Sequence, residues 1–412
     1  MYNLHLSQEQ LEIRDTVRDF VAHKIKPVVL KAERLDTGDR RLPMELLDHA
    51  SQLGLRTLAL SADRGGVGAD HLTSCIVTEE LAVGDADLAA TLAETWQLGQ
   101  LLFDIAMDDA QRDRFLPKFL SEDRFHLAFA WRESETDTRL GVNYHRPAVP
   151  DLAVKTVAVQ ASDSEWIING AKDCVANATI AALFAVLVMI PEQARARVLL
   201  VPAQTLGVRV HRHDNAWRHG ACGDVILENC RVPAGNLLGE GAAALLTGMD
   251  DAGRGIPLFQ ALNLGIGRAA YEAALDYTHL RVQGGRPIIE HQAIGTKLAE
   301  IAINLEVARA IIWQTAWASD HPAAIADRSL PNLPLQIMAR VFTSEVMLKV
   351  TKDAAEMFGA MGVMRDMPLQ KYVHDARVCL HGDNGNSDTK LRIAEVIAGY
   401  RRATSQAMAS PH

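Results

Sequence analysis

The first third of the chain carries apolar residues at roughly the spacing of amphipathic helices. Leu11, Val17 and Phe20 recur along one face of a predicted first helix, because residues three or four apart share a helix face. Ser7 stands just ahead of this segment and Gln10 occupies the reciprocal capping position, so the helix is predicted to begin after Ser7. Further helices are predicted at residues 43–53, 72–83 and 109–120, with a glycine-rich loop at 61–70.

The middle of the chain changes to short β-rich runs separated by turn residues. The runs are KTVAVQA, EWIING, LFAVLVMI, RVLLVPA and GVRVHRH. The residues Ala161-Ser162-Asp163-Ser164 stand just ahead of Glu165-Trp166-Ile167, which predicts a hairpin at that point. Several short strands at this spacing are typical of a barrel or a sandwich.

The last part of the chain returns to helical periodicity over longer runs. Helices are predicted at residues 261–281, 291–319, 335–361 and 386–403. Long helices with apolar stripes usually pack as a bundle, and such bundles often extend across subunits. The whole pattern predicts an α+β protein of three domains, helical over 1–125, β over 126–240 and helical over 241–412.

The composition is ordinary for a globular protein and narrows the classes of partner. The 412 residues carry a net charge of −9 with no basic block, which argues against general nucleic-acid binding. The five cysteines are scattered without a CxxC pair, so neither a disulfide framework nor a metal site is predicted. The N-terminal segment has no apolar signal region and no apolar run is long enough to span a bilayer, so a soluble, cytoplasmic protein is expected.

Five further segments follow one another along the chain. They are WRESETD at 131–137, EWIINGAKDCVANAT at 165–179, ENCRVPAGNLLGEG at 228–241, LGIGRAAYEAALDYTHLRVQGGRPIIEHQAIGTKLAEI at 264–301 and AAEMFGAMGVMRDMPLQKYVHDARV at 354–378. Each resembles a segment of the acyl-CoA dehydrogenase superfamily. The resemblance implies an N-terminal helical domain, a middle β-barrel and a C-terminal four-helix bundle, in agreement with the periodicity. It also implies a homo-oligomer, a tetramer or a dimer, with FAD partly held by a neighbouring subunit.

The resemblance implies FAD as the cofactor. Arg281 matches a family arginine that contacts the FAD pyrophosphate, a role that suits the donor fork of a guanidinium. Cys174 and Ala176 are departures, because the family usually has a Trp and a Thr against the flavin at these positions. Glu356 and Ala360 depart in the same way from Gln and Gly. The implied FAD contacts are Trp131, Arg132, Thr136, Cys174, Ala176, Arg281, Gln283, His291, Gln292, Glu356, Gly359, Ala360, Gly385 and Ser387.

The same resemblance implies a catalytic carboxylate. Counted from the His-Asp-Ala-Arg element at 374–377, Asp383 falls without a gap at the Glu of the family's Y-E-G-T turn. One branch of the family carries its base on an earlier helix, but Gly253 occupies that position here. Asp250 and Asp251 lie close by and remain open as alternatives, as does the lack of any base. The implied acyl-CoA contacts are Asp251, Arg254 and Gly382.

The resemblance implies an oxidoreductase that dehydrogenates an acyl-CoA between its α and β carbons. Asp383 would take the α-proton, flavin N5 would accept the β-hydride, and an electron-transfer flavoprotein would be the electron acceptor. Three other functions stay open. A nitroalkane-oxidase-like enzyme also uses Asp and shares the Gly-Gly and IIEHQ phrases, with Lys390 here in place of its Arg. A flavin-monooxygenase relative and a non-catalytic partner subunit are the others, the latter because several flavin positions are altered.

Overall fold

The computed structural model describes residues 5–35, 41–133, 154–193, 195–212, 219–242, 245, 257–321, 335–381 and 386–399. The chain divides into two compact units. Unit 1 comprises Met1–Leu46, Asp70–Ala90 and Gly253–Asn386, and unit 2 comprises Leu47–Ala69, Thr91–Ala252 and Ser387–His412. The three domain ranges expected from the sequence remain a prediction.

Helical, β and helical segments follow each other along the chain, as the sequence predicted. The helices are α1 (Gln8–Phe20), α2 (Lys26–Val29), α3 (Ala32–Leu35), α4 (Met44–Gln52), α5 (His71–Gly84), α6 (Ala86–Gly99), α7 (Asp109–Ser121), α8 (Leu258–Leu280), α9 (Gln292–Asp320), α10 (Leu335–Met357), α11 (Leu369–His381) and α12 (Asn386–Ala398), with π-helical turns at Val21–Ile25 and Gln100–Ala106. The strands are β1 (His126–Ala130), β2 (Val157–Ser162), β3 (Glu165–Val175), β4 (Ala181–Ile190), β5 (Arg195–Pro202), β6 (Val208–Arg212), β7 (Gly223–Pro233), β8 (Val282–Gln283) and β9 (Arg286–Pro287).

The first helix begins where its capping residues predict. The Ser7 hydroxyl accepts a hydrogen bond from the Gln10 amide at 3.1 Å, and the Gln10 side chain accepts one from the Ser7 amide at 3.0 Å. Two of the backbone donors that the helix N-terminus leaves without an internal partner are therefore satisfied. The reciprocal bonds confirm the capping box.

In unit 1, the buried helix α5 packs along α8. Every residue of α5 after His71 is buried. Gly265 of α8 lies so close that a Cβ atom there would stand 2.4 Å from the Glu79 carbonyl oxygen, so only glycine allows this approach. Helix α8 also packs on α9, α10 and α11, and α10 packs on α9 and α11. These four helices form the C-terminal bundle that the resemblance implies, but α11 was not among the helices predicted from periodicity, which placed the fourth at 386–403.

Unit 2 is built around a seven-stranded sheet in the order β1-β4-β2-β3-β7-β6, with β5 paired to β4. Strand β4 runs parallel to β1 and antiparallel to β5. Ser162 pairs with Glu165 across a two-residue turn of Asp163 and Ser164, which confirms the predicted hairpin. Neighbouring residues of a strand point to opposite faces. Accordingly Leu183 packs in one buried cluster, with Phe103 and Phe119, and Phe184 packs in another.

Several elements differ from the sequence predictions. The helix expected at 335–361 ends at Met357, and Gly359 follows with a φ of 55°, the left-handed conformation that commonly ends a helix. Strand β1 escaped prediction because four of its five residues are buried, which removes the alternation that marks a half-exposed strand. In the described part of the chain, no helix combines the length and apolarity that a membrane crossing requires.

Candidate active site

In unit 2, a buried ion pair fixes the segment that carries Trp131 and Arg132. The Lys172 ammonium lies 2.6 Å from a Glu133 carboxylate oxygen. Glu133 also accepts hydrogen bonds from the Thr156 hydroxyl at 2.7 Å and from the amides of Thr156 and Lys155 at 3.0 and 2.8 Å. Burial by itself would raise the pKa of Glu133, but Lys172 and the other donors outweigh that effect and lower it. Glu133 is therefore held as a carboxylate.

Strand β3 carries Cys174 next to this segment. The register of β3 against β7 shifts between Lys172 and Val175, and Cys174 has a φ of 50°, which is uncommon for a residue with a side chain. Its amide donates to an Asp224 carboxylate oxygen at 2.9 Å. The Asp173 amide donates to the Arg132 carbonyl at 2.9 Å. The structure thus brings Arg132 and Cys174, two of the predicted flavin contacts, to one place.

The turn after β3 carries Ala176, which is partly buried. Its neighbour Asn177 has a φ of 60° and is almost completely buried. The Asn177 side chain donates to the carbonyls of Thr91 and Leu127 at 2.9 and 3.3 Å and to the Thr95 hydroxyl at 3.1 Å. Asparagine tolerates the left-handed conformation better than most residues, and these bonds fix the turn. Ala176 is held in place by its neighbour.

One buried hydrogen-bond acceptor beside Cys174 has no donor among the described residues. The Asp173 Oδ2 atom is buried and has no hydrogen-bond partner among the described residues. Buried polar atoms in proteins nearly always have a partner, so an orphan of this kind calls for an explanation. A ligand that presents an N–H or O–H group at this point would provide the missing donor.

In unit 1, Arg281 and Gln283 lie on a small exposed hairpin after α8. Strands β8 and β9 pair across Gly284 and Gly285, whose φ angles are 62° and 81°, as a tight type I′ turn requires. The Gln283 carbonyl lies 2.9 Å from His291 Nε2. His291 and Gln292 begin α9. The structure therefore groups these four predicted FAD contacts around one helix start.

The glycine turn after α10 lies in the same unit. Phe358, which precedes Gly359, stacks on Tyr277 of α8 with ring centroids 4.1 Å apart, and the Tyr277 carbonyl accepts the Arg281 amide at 2.9 Å. Glu356, the departure from Gln, forms an ion pair with Lys297 of α9. The charge that the sequence places at this position therefore has a counter-charge in the structure.

Ala360 lies exposed in the 3₁₀ turn Gly359–Val363 that follows α10. The other predicted residues lie outside the described part of the chain. They are Thr136, Asp251, Arg254, Gly382, Asp383 and Gly385, together with Asp250, Gly253 and the side chain of Ser387. The two ends of the 382–385 stretch are described: α11 ends at His381 and α12 begins at Asn386. The Asn386 side chain donates to the Ser344 hydroxyl at 2.9 Å and to Glu345 at 3.2 Å. Helix α10 therefore holds Asn386, the first described residue after this stretch.

Sequence reasoning missed Lys172, Thr156, Asp173 and Lys297. A signal for Lys172 was present. Trp166, Ile168 and Lys172 share one parity along β3, and this face is buried. A lysine on the inward face of a strand requires a buried counter-charge, which the sequence alone could not locate.

Comparisons with known proteins cover nearly the whole chain. Family models for the acyl-CoA dehydrogenase N-terminal, middle and C-terminal domains match residues 7–123, 151–230 and 254–397. An acyl-CoA dehydrogenase of Bacillus subtilis (strain 168) is 28% identical over 404 residues, which cover 96% of this chain and 100% of that protein.

Solved structures agree in fold. Butyryl-CoA dehydrogenase from Megasphaera elsdenii is similar with a TM-score of 0.81 at 24% identity, covering 96% of this chain and 100% of that one. The prolyl acyl carrier protein oxidase AnaB is similar with a TM-score of 0.78 at 22% identity, covering 95% and 100%. With all three domains matched in order and the predicted architecture present, the chain belongs to the acyl-CoA dehydrogenase superfamily.

Proposed function

We propose that the protein is an FAD-dependent oxidoreductase that dehydrogenates an acyl-CoA thioester between its α and β carbons. Membership of the superfamily supports the general class, that of a flavoprotein oxidoreductase. The observation that carries the proposal is the hydrogen bond from the Asp173 amide to the Arg132 carbonyl, which places Arg132 beside Cys174 in unit 2. The Glu133–Lys172 ion pair holds this segment in place. A rigid support of this kind suits a site that must position a planar ring.

The described residues fit FAD. In unit 2, Trp131, Arg132, Cys174 and Ala176 would contact the flavin, and the open Asp173 acceptor would take a hydrogen bond from it. In unit 1, Arg281 would bind the pyrophosphate, and the turn at Gly359 would lie against the adenosine. A Cβ built at Gly359 has no atom within 4 Å, so the backbone there is open to a ligand. Because the family shares FAD between subunits, these two sets need not hold the same FAD molecule.

Asp383 is the proposed base. Its carboxylate would take the α-proton, while the acyl-CoA would be held by Asp251, Arg254 and Gly382. Bound FAD would supply the acceptor for the β-hydrogen and its electron pair. Asp is shorter than the usual Glu by one C–C bond, about 1.5 Å. Asp383 would therefore have to approach the substrate more closely than the usual Glu does.

The same resemblance supports a proposal for the electron acceptor, the assembly and the location of the protein. We propose an electron-transfer flavoprotein as the electron acceptor, a homodimer or homotetramer as the assembly, and the cytoplasm as the location. Thr136, Gly385 and Ser387 would complete the FAD contacts.

The test is anaerobic reduction of the purified flavoprotein by a panel of acyl-CoA thioesters, followed as loss of flavin absorbance. Asp383→Asn is expected to keep FAD and acyl-CoA binding but to slow reduction by about 10²-fold or more, as for loss of a general base. Asp366→Asn, an exposed carboxylate, is the matched control and should reduce normally. Unchanged reduction in Asp383→Asn would exclude it as the base.

Three other results would redirect the proposal. Bleaching by a nitroalkane and not by any acyl-CoA would favour the oxidase alternative. A flavin that is oxidised by oxygen with incorporation of an oxygen atom into the substrate would favour the monooxygenase. A protein that purifies without FAD and does not take it up would favour the non-catalytic partner subunit.

A further inference from the structure

A cavity of about 500 Å³ lies within unit 1. Its walls come from Leu6 ahead of α1 and from α1, the π-helical turn Val21–Ile25, α2, α5, α8 and α9. None of its lining residues belongs to the sets assigned above to FAD or acyl-CoA. Its volume is in the range of small-molecule sites, which usually combine apolar walls with a few placed polar groups.

Charge on the cavity wall is mainly positive. Five cationic side chains line it, and only three carboxylates do. The two deepest carboxylates, Glu79 and Glu80, are already compensated, because both accept hydrogen bonds from Arg268. Arg309 also binds Glu79 at 2.8 Å, and Arg18 binds Glu80 at 2.8 Å. These buried ion pairs neutralise the negative charges of Glu79 and Glu80 in the cavity wall.

Two other cationic side chains of the cavity wall, Arg14 and Lys26, form weaker ion pairs. Arg14 pairs with Asp15, whose side chain is 59% exposed, and exposed pairs of this kind are weak. Lys26 lies 3.2 Å from Glu272, which also accepts from Arg268 Nε at 3.1 Å. Either cation can therefore turn to a ligand without leaving a buried carboxylate unpaired.

The other part of the wall is apolar. Ile76 and Val83 of α5, Val21 of the π-helical turn and Trp313 of α9 line it. A π-helical turn inside a longer helix is frequent at functional sites. Apolar walls beside unburied cations match a ligand with one anionic group and an apolar body.

We propose that this cavity binds a small amphipathic anion, a carboxylate on an apolar chain or ring. The carboxylate would face Arg14 and Lys26, and the apolar body would lie against Val83 and Trp313. None of the proposed catalytic or cofactor-binding residues lines the cavity, and the proposed binding does not depend on the reaction.

The test is isothermal titration of the FAD-loaded protein with octanoate, with octanol and octylamine as probes that lack the negative charge. Saturable one-to-one binding of octanoate is expected, with octanol and octylamine binding at least about tenfold more weakly. Lys26→Met should weaken octanoate binding about fivefold. Lys24→Met, which removes an exposed charge two residues away, should leave it unchanged.

A second variant tests the cavity by volume instead of charge. Ala22 lines the cavity and is exposed, so Ala22→Trp should block entry with little cost to folding, whereas Ala22→Ser should not. Octanoate binding that survives both Lys26→Met and Ala22→Trp would belong to the acyl-CoA site and would overturn the proposal. Equal affinity for octanol, or no binding of octanoate at all, would overturn it as well.

Discussion

Glu133 and Lys172 form an ion pair with 2.6 Å between the carboxylate oxygen and the ammonium nitrogen. The Lys172 side chain is completely buried and that of Glu133 is 6% exposed. Burial also pulls the pKa of Lys172 down, against the opposing effect of Glu133. Removing either charge from such a pair leaves the other uncompensated in a poor solvent, which costs more than the pair itself contributes.

Lys172→Met is expected to lower the free energy of unfolding by about 3–5 kcal/mol and to reduce the FAD content of the purified protein. The loss follows because Glu133 would stay buried without its cation. Adding Glu133→Gln to this variant should recover part of the stability, since no charge is then left unpaired. Denaturant unfolding and the flavin-to-protein absorbance ratio measure the two effects.

The exposed pair of Arg231 and Glu165 in the same sheet is the control. Their side chains are 59% and 35% exposed, so Arg231→Met should cost only about 0.2–1 kcal/mol and leave the FAD content unchanged. A similar loss of stability in both variants would mean that burial of the Lys172 pair is not what matters.

The buried side chain of His126 is expected to make the folded state less stable as the pH falls. Its ring is completely buried, and burial, helped by the charge of Arg56, lowers its pKa from 6.5 to about 4. The unfolded chain therefore binds a proton near pH 6.5 that the folded chain refuses until about pH 4. Stability that is fully present above pH 6.5 is lost as the pH falls through this window, by about 3 kcal/mol in total.

Unfolding free energies measured from pH 7 to 4 test this expectation. His126→Gln should flatten the pH dependence between pH 6.5 and 4, although the variant is less stable at pH 7. His23→Gln, which removes an exposed histidine, should keep the slope of the unaltered protein. An unaltered slope in His126→Gln would assign the acid sensitivity to other groups.

Local features were predictable from the sequence and distant pairings were not. The capping bonds of Ser7 and Gln10 join residues three apart, and the Asp163-Ser164 turn joins adjacent strands, so short-range patterns sufficed. Lys172 pairs with Glu133, which is 39 residues away in the sequence. No periodicity specifies such a partner, because it depends on how β3 packs against the segment after β1.

In the candidate site, too, some features were predictable from the sequence and others were not. The resemblance gave positions for the predicted contacts, among them Arg281 and Gln283. The open Asp173 acceptor did not follow, because it depends on the bulge at Cys174. A bulge breaks the regular alternation of side chains along a strand. The pattern of hydrophobic and polar residues in the sequence does not reveal where such a bulge occurs.

Gly265 and Gly295 are two helical glycines with opposite expected effects. A Cβ at Gly265 would lie 2.4 Å from the Glu79 carbonyl, whereas one at Gly295 would meet nothing closer than 3.6 Å. Gly265→Ala should therefore destabilise by about 1–3 kcal/mol through overpacking, and Gly295→Ala should stabilise by about 0.5–1 kcal/mol through helix propensity. Urea midpoints of the two variants check both signs, and a stable Gly265→Ala would show that α5 and α8 can separate freely.

Lys297 and Glu356 test the proposed adenosine end of the FAD site. Lys297 compensates the carboxylate of Glu356, which stands where many family members carry Gln. Lys297→Met should leave that negative charge facing the anionic cofactor and weaken FAD binding about two- to fivefold, the range for partly exposed charges. FAD dissociation constants follow from reconstitution of the apoprotein, monitored by flavin fluorescence.

A double variant separates repulsion by Glu356 from other effects of losing Lys297. Adding Glu356→Gln to Lys297→Met should restore FAD affinity, because the repelling charge is then gone. Lys349→Met is the matched control, since this exposed lysine on the same helix as Glu356 pairs with Asp353 at 2.6 Å and should not alter FAD binding. If the double variant binds FAD as weakly as Lys297→Met alone, repulsion by Glu356 is not the cause, and Lys297 must act through a contact of its own with the cofactor or with the packing of α9.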